Sequence, residues 1–377
     1  MSHLRPLGAQ ALPSVDDLVT ALRPAEPMHC IRPAAAAGAA EAFVAAFPGD
    51  VLYAVKCNPD PAVLRALWAG GVRHFDCASI AEVALVRGMF PGAEIHFMHP
   101  VKSRPAIAQA YGEFGVRDFV FDSAAELGKI LHETQNAADL GLVVRIALPA
   151  GPARYDLSGK FGAEAAEAAA LLRAARPLTA RLGVSFHVGS QCLDPLAWRS
   201  AIALAGAIVR EAGVAIEVLD VGGGFPAAYP DAAPPPLGAF MAEIEAAADA
   251  LEIPGLRLWA EPGRALVAGA MSLVVQVQGR RGRMLFINDG IYGSLSDAGA
   301  PGFRYPARLL RASAAPLEDV GFFGPTCDSA DRMAGPFPLP ADADEGDWIE
   351  IGQLGAYGAC LRTGFNGLGQ GVTVEVR

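Results

Sequence analysis

The 377-residue chain has no paired cysteines. Cys30, Cys57, Cys77, Cys192, Cys327 and Cys360 stand apart, without a single CxxC spacing. That argues against a zinc site and against a disulfide scaffold, and no metal is expected. Six reduced thiols in a cytoplasmic protein are the simplest reading. Positive charge is also in deficit. The net charge of −10 repels phosphate backbones, so a nucleic-acid partner is disfavoured, while a local basic site for a small anion stays open. Missing too is any charge-free apolar run of about 20 residues. The N-terminus lacks a basic region followed by an apolar run and a cleavage site. Neither a membrane span nor a signal peptide is expected.

What is present is apolar material. Hydrophobic residues make up 52% of the chain and charged ones 19%, a balance that excludes a disordered polypeptide. Much of it is alanine, beside abundant glycine and proline, so small residues supply part of the count. At roughly 100–200 residues per domain, the length suits two domains, or one large domain with an appendage. Strand-like runs at 28–32, 51–56, 74–78, 95–98, 118–121, 142–147, 183–187, 218–221 and 257–261 alternate with Ala-rich helical stretches. These helical stretches cover 61–69, 80–88, 124–134, 163–175, 197–212 and 237–251. The alternation predicts βαβ units and an α/β fold, a TIM-type (β/α)8 barrel over 28–270, with an open doubly wound sheet as the alternative. Beyond residue 270 the pattern becomes strands at 272–278, 284–288, 318–323, 347–351 and 372–376 with little helix between them. This predicts a β-rich domain of sandwich or barrel type over 271–377, joined by residues 1–27. The stretch 336–346 reads as a surface loop.

Chemistry-bearing residues gather at the predicted C-terminal strand ends, where a barrel carries its active site. Lys56 closes the apolar strand VLYAVK. Burying an ammonium is costly, so this is either a Schiff-base lysine with a pKa lowered by desolvation or a lysine reaching solvent. Asp76 ends HFD, and His187 ends VSFH ahead of Gly189 and Ser190. The imidazole could be a structural hydrogen-bonder or could lie against a planar cofactor. Gly222, Gly223 and Gly224 follow the strand VLDV, as a tight turn or an anion-binding loop; they do not form GxGxxG. Glu261 and Arg264, in EPGR, could be a surface ion pair or could hold two ends of one ligand, a protonated ring nitrogen and a phosphate. Cys327 and Asp328 stand side by side in a Gly/Pro loop, as a turn or as a proton donor beside a cation-binding acid. Together these pieces describe a pyridoxal phosphate site.

The stretches YAVKCNPDPAVLRAL, FDCASIAEV, FHVGSQC, LDVGGGFP, EPGR, NDGIYGS, FFGPTCDSADR and GQLGAYG run in order from Tyr53 to Gly358. In them the chain resembles the barrel-type pyridoxal-phosphate decarboxylases of basic amino acids, the ornithine/lysine decarboxylase group. The resemblance implies an alanine-racemase-like barrel plus a β-domain, in a head-to-tail homodimer with shared sites. It implies that Lys56 binds the cofactor covalently, His187 stacks on its ring and Glu261 pairs with the pyridine nitrogen. Asp76, Arg145 and Glu82 would shape the site. Ser190, Gly223, Gly224, Gly263, Arg264 and Tyr357 would lie at the phosphate. Cys327 from the partner would protonate the substrate carbon, and Asp328, with Tyr292 and Asp297, would bind substrate. Lys160 and Asp331 match a salt bridge across the dimer.

The resemblance weakens over 295–304. Relatives carry there an acid that helps bind the distal amine; here only Asp297 is acidic and Arg304 is basic. The expected reaction is decarboxylation of L-ornithine to putrescine, with L-lysine to cadaverine beside it, as in polyamine synthesis. A distal carboxylate met by Arg304 would instead mean diaminopimelate, although relatives with that activity read CES where this chain reads CDS. A substrate of specialised metabolism would use the same residues. A racemase is disfavoured by Glu261 at the ring nitrogen. A non-catalytic regulator of the antizyme-inhibitor sort is disfavoured by the retained Lys56, Glu261, Arg264 and Cys327.

Overall fold

The computed structural model describes residues 3–4, 12–369 and 371–377. Eight parallel strands close into a barrel in the order Arg257–Ala260, Asp50–Ala54, His74–Cys77, Glu94–Phe97, Asp118–Phe121, Gly141–Arg145, Arg181–Ser185 and Val218–Asp220. Alternation along each strand decides what faces inward. Leu52, Met98, Val120, Val143, Val218 and Trp259 form a cluster of their own inside the barrel. The opposite strand faces pack on the surrounding helices, where Phe75, Phe119, Val144 and Val184 are buried. The helices start where the sequence provides caps. The side chains of Asp60, Ser79, Ser103 and Ser123 each accept a backbone N–H of the first turn, ahead of Pro61–Ala69, Ile80–Met89, Arg104–Gly112 and Ala124–Glu133.

A nine-stranded sheet forms the second unit. Met271–Arg281 is its spine, pairing with Met28–Ile31, Met284–Ile287 and Trp348–Ile351. Leu317–Phe323 and Arg332–Pro340 extend it at one end, and Val372–Glu375 lies beside Met28–Ile31 at the other. Helix Val15–Leu22 buries Val15 and Val19 against Met28, Val274 and Val374.

Two placements differ from the sequence reading. The strand expected at 28–32 is not part of the barrel. Met28–Ile31 pairs antiparallel with Met271–Arg281, and the first barrel strand is Asp50–Ala54, so the barrel unit begins after residue 31. A four-residue strand buried on both faces says nothing about which sheet it joins, because pairing partners are not encoded locally. The expected loop 336–346 is half strand. Arg332–Pro340 pairs antiparallel with Leu317–Phe323 and buries Phe337 and Leu339. Its prolines suggested a loop, but they sit at the end of the sheet order, where an unpaired edge does not need their missing N–H. Residues 1, 2 and 5–11 of the segment expected to join the second domain lie outside the described residues.

No helix among the described residues is long and apolar enough to cross a membrane, and none of their His, Cys, Asp and Glu side chains forms a group of three that could hold a metal.

Candidate active site

The C-terminal mouth of the barrel collects the charged groups. Lys56 sits in the short turn Val55–Cys57 that ends the first barrel strand, and its Nζ donates to Asp76 Oδ2 at 2.6 Å. The ammonium faces the open mouth, which leaves 41% of the side chain accessible, although protein surrounds it elsewhere. Burial works against its charge, but the carboxylates of Asp76 and Glu261 outweigh it, and the lysine is held above its ordinary pKa. One of the two alternatives for Lys56 was a pKa lowered by desolvation. The structure reverses that, because the same strand ends that desolvate Lys56 also surround it with acids. Asp76 is its nearest proton acceptor.

At the end of the neighbouring strand, Glu261 is 4% exposed, and its Oε1 has no hydrogen-bond partner. Burial, then the charges of Asp220 and Asp76, raise its carboxyl well above the usual range. His187 accepts the Gly189 N–H on Nδ1 at 3.0 Å, which leaves the proton of the neutral ring on Nε2. Burial, helped by Arg145 and Lys56, holds the imidazole far below its ordinary pKa, so it stays neutral. Arg145 ends the strand Gly141–Arg145. A cavity of about 380 Å³ opens beside Arg145 and His187, walled by Leu148, Phe161, Val188 and Leu204.

The glycine run packs directly on this floor. A Cβ on Gly223 would sit 2.7 Å from Glu261 O and 3.0 Å from His187 Nε2. Gly224 has φ +106°, and a Cβ there would sit 2.4 Å from Gly189 O. Glycine is therefore required at both positions, and a turn bare of side chains lets an anion approach the backbone closely. Gly263 is equally confined, its Cβ position lying 2.9 Å from Cys57 Cβ. Ser190 lies beside the turn, its backbone paired with Tyr155 in both directions. Tyr357 adopts φ +60°, a strained conformation for a bulky residue, and its N–H donates to Cys57 O at 2.9 Å, closing the second unit's loop onto the Lys56 turn.

Arg264 is buried and engaged within its own chain. It donates to Tyr229 Oη at 2.9 Å and to Asp297 Oδ2 at 3.0 Å. This corrects the expectation for Asp297, whose carboxylate serves as the counter-ion of Arg264 rather than pointing at a substrate amine. Arg304 is 45% exposed and lies 3.9 Å from Asp231, which pairs more closely with Arg154 at 3.1 Å. Tyr292 Oη donates to Asp328 Oδ2, and this bond holds the Asp328 carboxyl below its ordinary pKa. Tyr292 thus orients Asp328. Asp331 is 2% exposed, and its oxygens accept the Ile291 N–H at 2.9 Å, the Thr326 N–H at 3.1 Å and the Thr326 hydroxyl at 2.7 Å. These bonds build its own loop, while Lys160 is exposed with its Nζ over the Phe161 ring. Glu82 accepts the Ala78 N–H at 2.7 Å and fixes the turn after Asp76.

One chain therefore brings together Lys56, Asp76, Arg145, His187, Glu261 and the glycine turn. Cys327 is exposed in a separate loop, which Asn366 holds by accepting its N–H at 3.2 Å. The hydrogen bonds of Cys327 and Asp328 go to Asn366, Tyr292 and Ala330, not to the Lys56 group. Sequence reasoning missed Asp220, Ser185 and Tyr229. Asp220 carried a signal: a carboxylate two residues beyond the inward-facing Val218 must also face the barrel interior.

Residues 35–268 match the family described as pyridoxal-dependent decarboxylase, pyridoxal binding domain. The chain belongs to this family. The decarboxylase is 36% identical over 341 residues to a decarboxylase of Aspergillus flavus, an alignment covering 84% of this chain and 77% of that one. It is 35% identical over 343 residues to an ornithine decarboxylase of Panagrellus redivivus, with the same coverage. Among solved structures, the Paramecium bursaria Chlorella virus arginine decarboxylase bound to agmatine superposes with a TM-score of 0.85 at 29% identity, covering 96% of this chain and 99% of that one.

The cofactor of the family is pyridoxal phosphate, and the residues present fit it. The unpartnered, buried Glu261 Oε1 suits a protonated ring nitrogen, and the glycine turn suits a phosphate.

Proposed function

We propose that this decarboxylase acts on a basic diamino acid, first L-ornithine to putrescine and second L-lysine to cadaverine, as a homodimer whose partner supplies Cys327 and Asp328. The observation that carries the substrate reading is Asp328, an ionised carboxylate oriented by Tyr292 in the loop that also presents the Cys327 thiol. A fixed anion at that place suits a distal ammonium. Arg304, the residue that would favour a distal carboxylate, has an acid, Asp231, 3.9 Å away. Two-chain sites are supported by Cys327 and Asp328 being held by Asn366, Tyr292 and Ala330 with no hydrogen bond to the Lys56 group. Six free cysteines support a reducing, cytoplasmic setting.

Pyridoxal phosphate, when bound, supplies the electron sink for the pair released as the Cα–carboxylate bond breaks. The chain's own residues do the rest. Lys56 holds the cofactor covalently and passes its proton to Asp76 when it acts as a nucleophile. His187 covers one face as a neutral ring. Gly223, Gly224 and Gly263, with Ser190 and Tyr357 beside them, form the phosphate end. Glu261 keeps the ring nitrogen charged. Cys327 delivers a proton to Cα after carbon dioxide leaves.

The test is product analysis by mass spectrometry with ornithine, lysine, arginine and diaminopimelate offered separately. Putrescine and cadaverine are expected, and lysine formed from diaminopimelate would refute the substrate reading. Asp328→Ala should raise KM for ornithine roughly ten- to a hundredfold. An unchanged preference for diamino acids would remove Asp328 from recognition. Mixing Lys56→Ala with Cys327→Ala tests the sharing. The two inactive variants, combined, should regain part of the activity if each site draws on both chains.

A further inference from the structure

Below the ring-nitrogen end of the site the barrel holds a second carboxylate with no assigned role. Asp220 ends the strand Val218–Asp220 and is 0% exposed. It faces inward, since Val218 on the same strand lies in the interior cluster. Glu261 faces inward on the neighbouring strand by the same parity, two residues beyond Trp259, which is in register with Asp220. A backbone bond from Glu261 N to Gly222 O at 2.8 Å locks the two strand ends together. Asp220 Oδ1 accepts the Gly222 N–H at 2.8 Å, so Asp220 also fixes the glycine turn. Its Oδ2 and Glu261 Oε1 have no other donor, and the Ser185 hydroxyl on the next strand is unpartnered too.

Two buried carboxylates at neighbouring strand ends, both facing the barrel interior, cannot both be ionised cheaply, because each loses hydration and repels the other. The surrounding charges are Lys56, Asp76 and Arg145, and the nearby His187 is neutral. Burial raises both carboxyls, and the charge of Asp220 raises Glu261 further. Asp220 has the better claim to the charge, since it already accepts a backbone N–H.

We propose that Asp220 is a positioning residue that keeps one shared proton on Glu261, available to the ring nitrogen of the cofactor. When the cofactor enters, the O–H bond of Glu261 breaks and an N–H bond forms at the ring. Glu261 is left as the carboxylate that pairs with the ring, and no proton is drawn from solvent. Asp220 touches neither substrate nor cofactor; it acts through Glu261. This inference rests on the cofactor, not on the substrate reading, and its test contains no substrate.

The experiment is calorimetric titration of pyridoxal phosphate into the full-length, cofactor-free chain, in pairs of buffers with different ionisation heats, across pH. Subtracting the profile of Glu261→Gln removes the protons exchanged by Lys56. In wild type, proton uptake should begin only at alkaline pH, where the pair loses its proton. In Asp220→Asn, which still accepts the Gly222 N–H, uptake should begin about one pH unit or more lower. Superimposable profiles would overturn the proposal. Should Asp220→Asn not fold, infrared difference spectra of wild type decide. A protonated-carboxyl stretch present without cofactor and lost on binding is expected, and its absence refutes the shared proton.

Discussion

Arg264 is a buried cation whose charge is met by Asp297 at 3.0 Å, with side-chain exposures of 4% and 11%. Removing one partner of such a pair strands the other. Asp297→Ala should destabilise the cofactor-free chain by about 3–5 kcal/mol in urea unfolding. Replacing both residues by apolar ones should recover much of that loss. Glu261→Gln should lower kcat roughly 10²- to 10⁴-fold with little change in KM, because a ring nitrogen without its anion is a poorer electron sink. Steady-state kinetics separates the two parameters. Lys56, Glu261 and His187 were legible as candidates, since polar groups closing apolar strands are costly unless used. The pairing of Asp297 was not, because residue 297 meets residue 264 only after the second unit docks on the barrel. The direction of the Lys56 pKa was not legible for a related reason: burial can be guessed from a strand pattern, but the number of acids converging on one lysine cannot.

At the scale of elements, the loops that join the strands carry the constraint. Gly224 combines φ +106° with a backbone oxygen 2.4 Å from where a Cβ would lie. Gly224→Ala should cost about 1–3 kcal/mol of stability and weaken pyridoxal phosphate binding, read by thermal melting and by the cofactor's absorbance. Ala at Gly238, in a helix with open space around it, should do neither. The helices Pro61–Ala69, Ile80–Met89 and Ala124–Glu133 were legible to within a few residues, their starts marked chemically by Asp60, Ser79 and Ser123, whereas Pro33–Ala46 and Arg104–Gly112 were not among the expected stretches. Arg332–Pro340 was not, since edge strands tolerate the prolines that usually punctuate loops.

The whole molecule stores neutral histidines. His29 is 0% exposed beside Ser294, and burial, with Arg362, lowers its pKa to about 3. His74, at the base of the barrel, is lowered by burial and by His96. A histidine whose folded pKa is depressed makes the unfolded chain the better proton acceptor, so its contribution is full above the unfolded value of about 6.5 and is lost as pH falls below it. Asp118 follows at lower pH. Burial opposes its charge, but His96 and Arg181 outweigh that and lower it to about 2, so its contribution fades between about 4 and 2. Melting temperature should therefore fall as pH drops from about 7 to 5, and a His29→Gln, His74→Gln double variant should show a flatter profile. The sequence by itself determined the alternation that makes a barrel, the capped helices and the residue types of a pyridoxal phosphate site, because periodicity and capping act over a few residues. Tertiary structure alone decided that Met28–Ile31 joins the second sheet, that Asp297 neutralises Arg264, and that Asp220 and Glu261 stand at neighbouring strand ends. Each of those depends on which distant strands come into register, and on how few ways there are to bury a charge once they do.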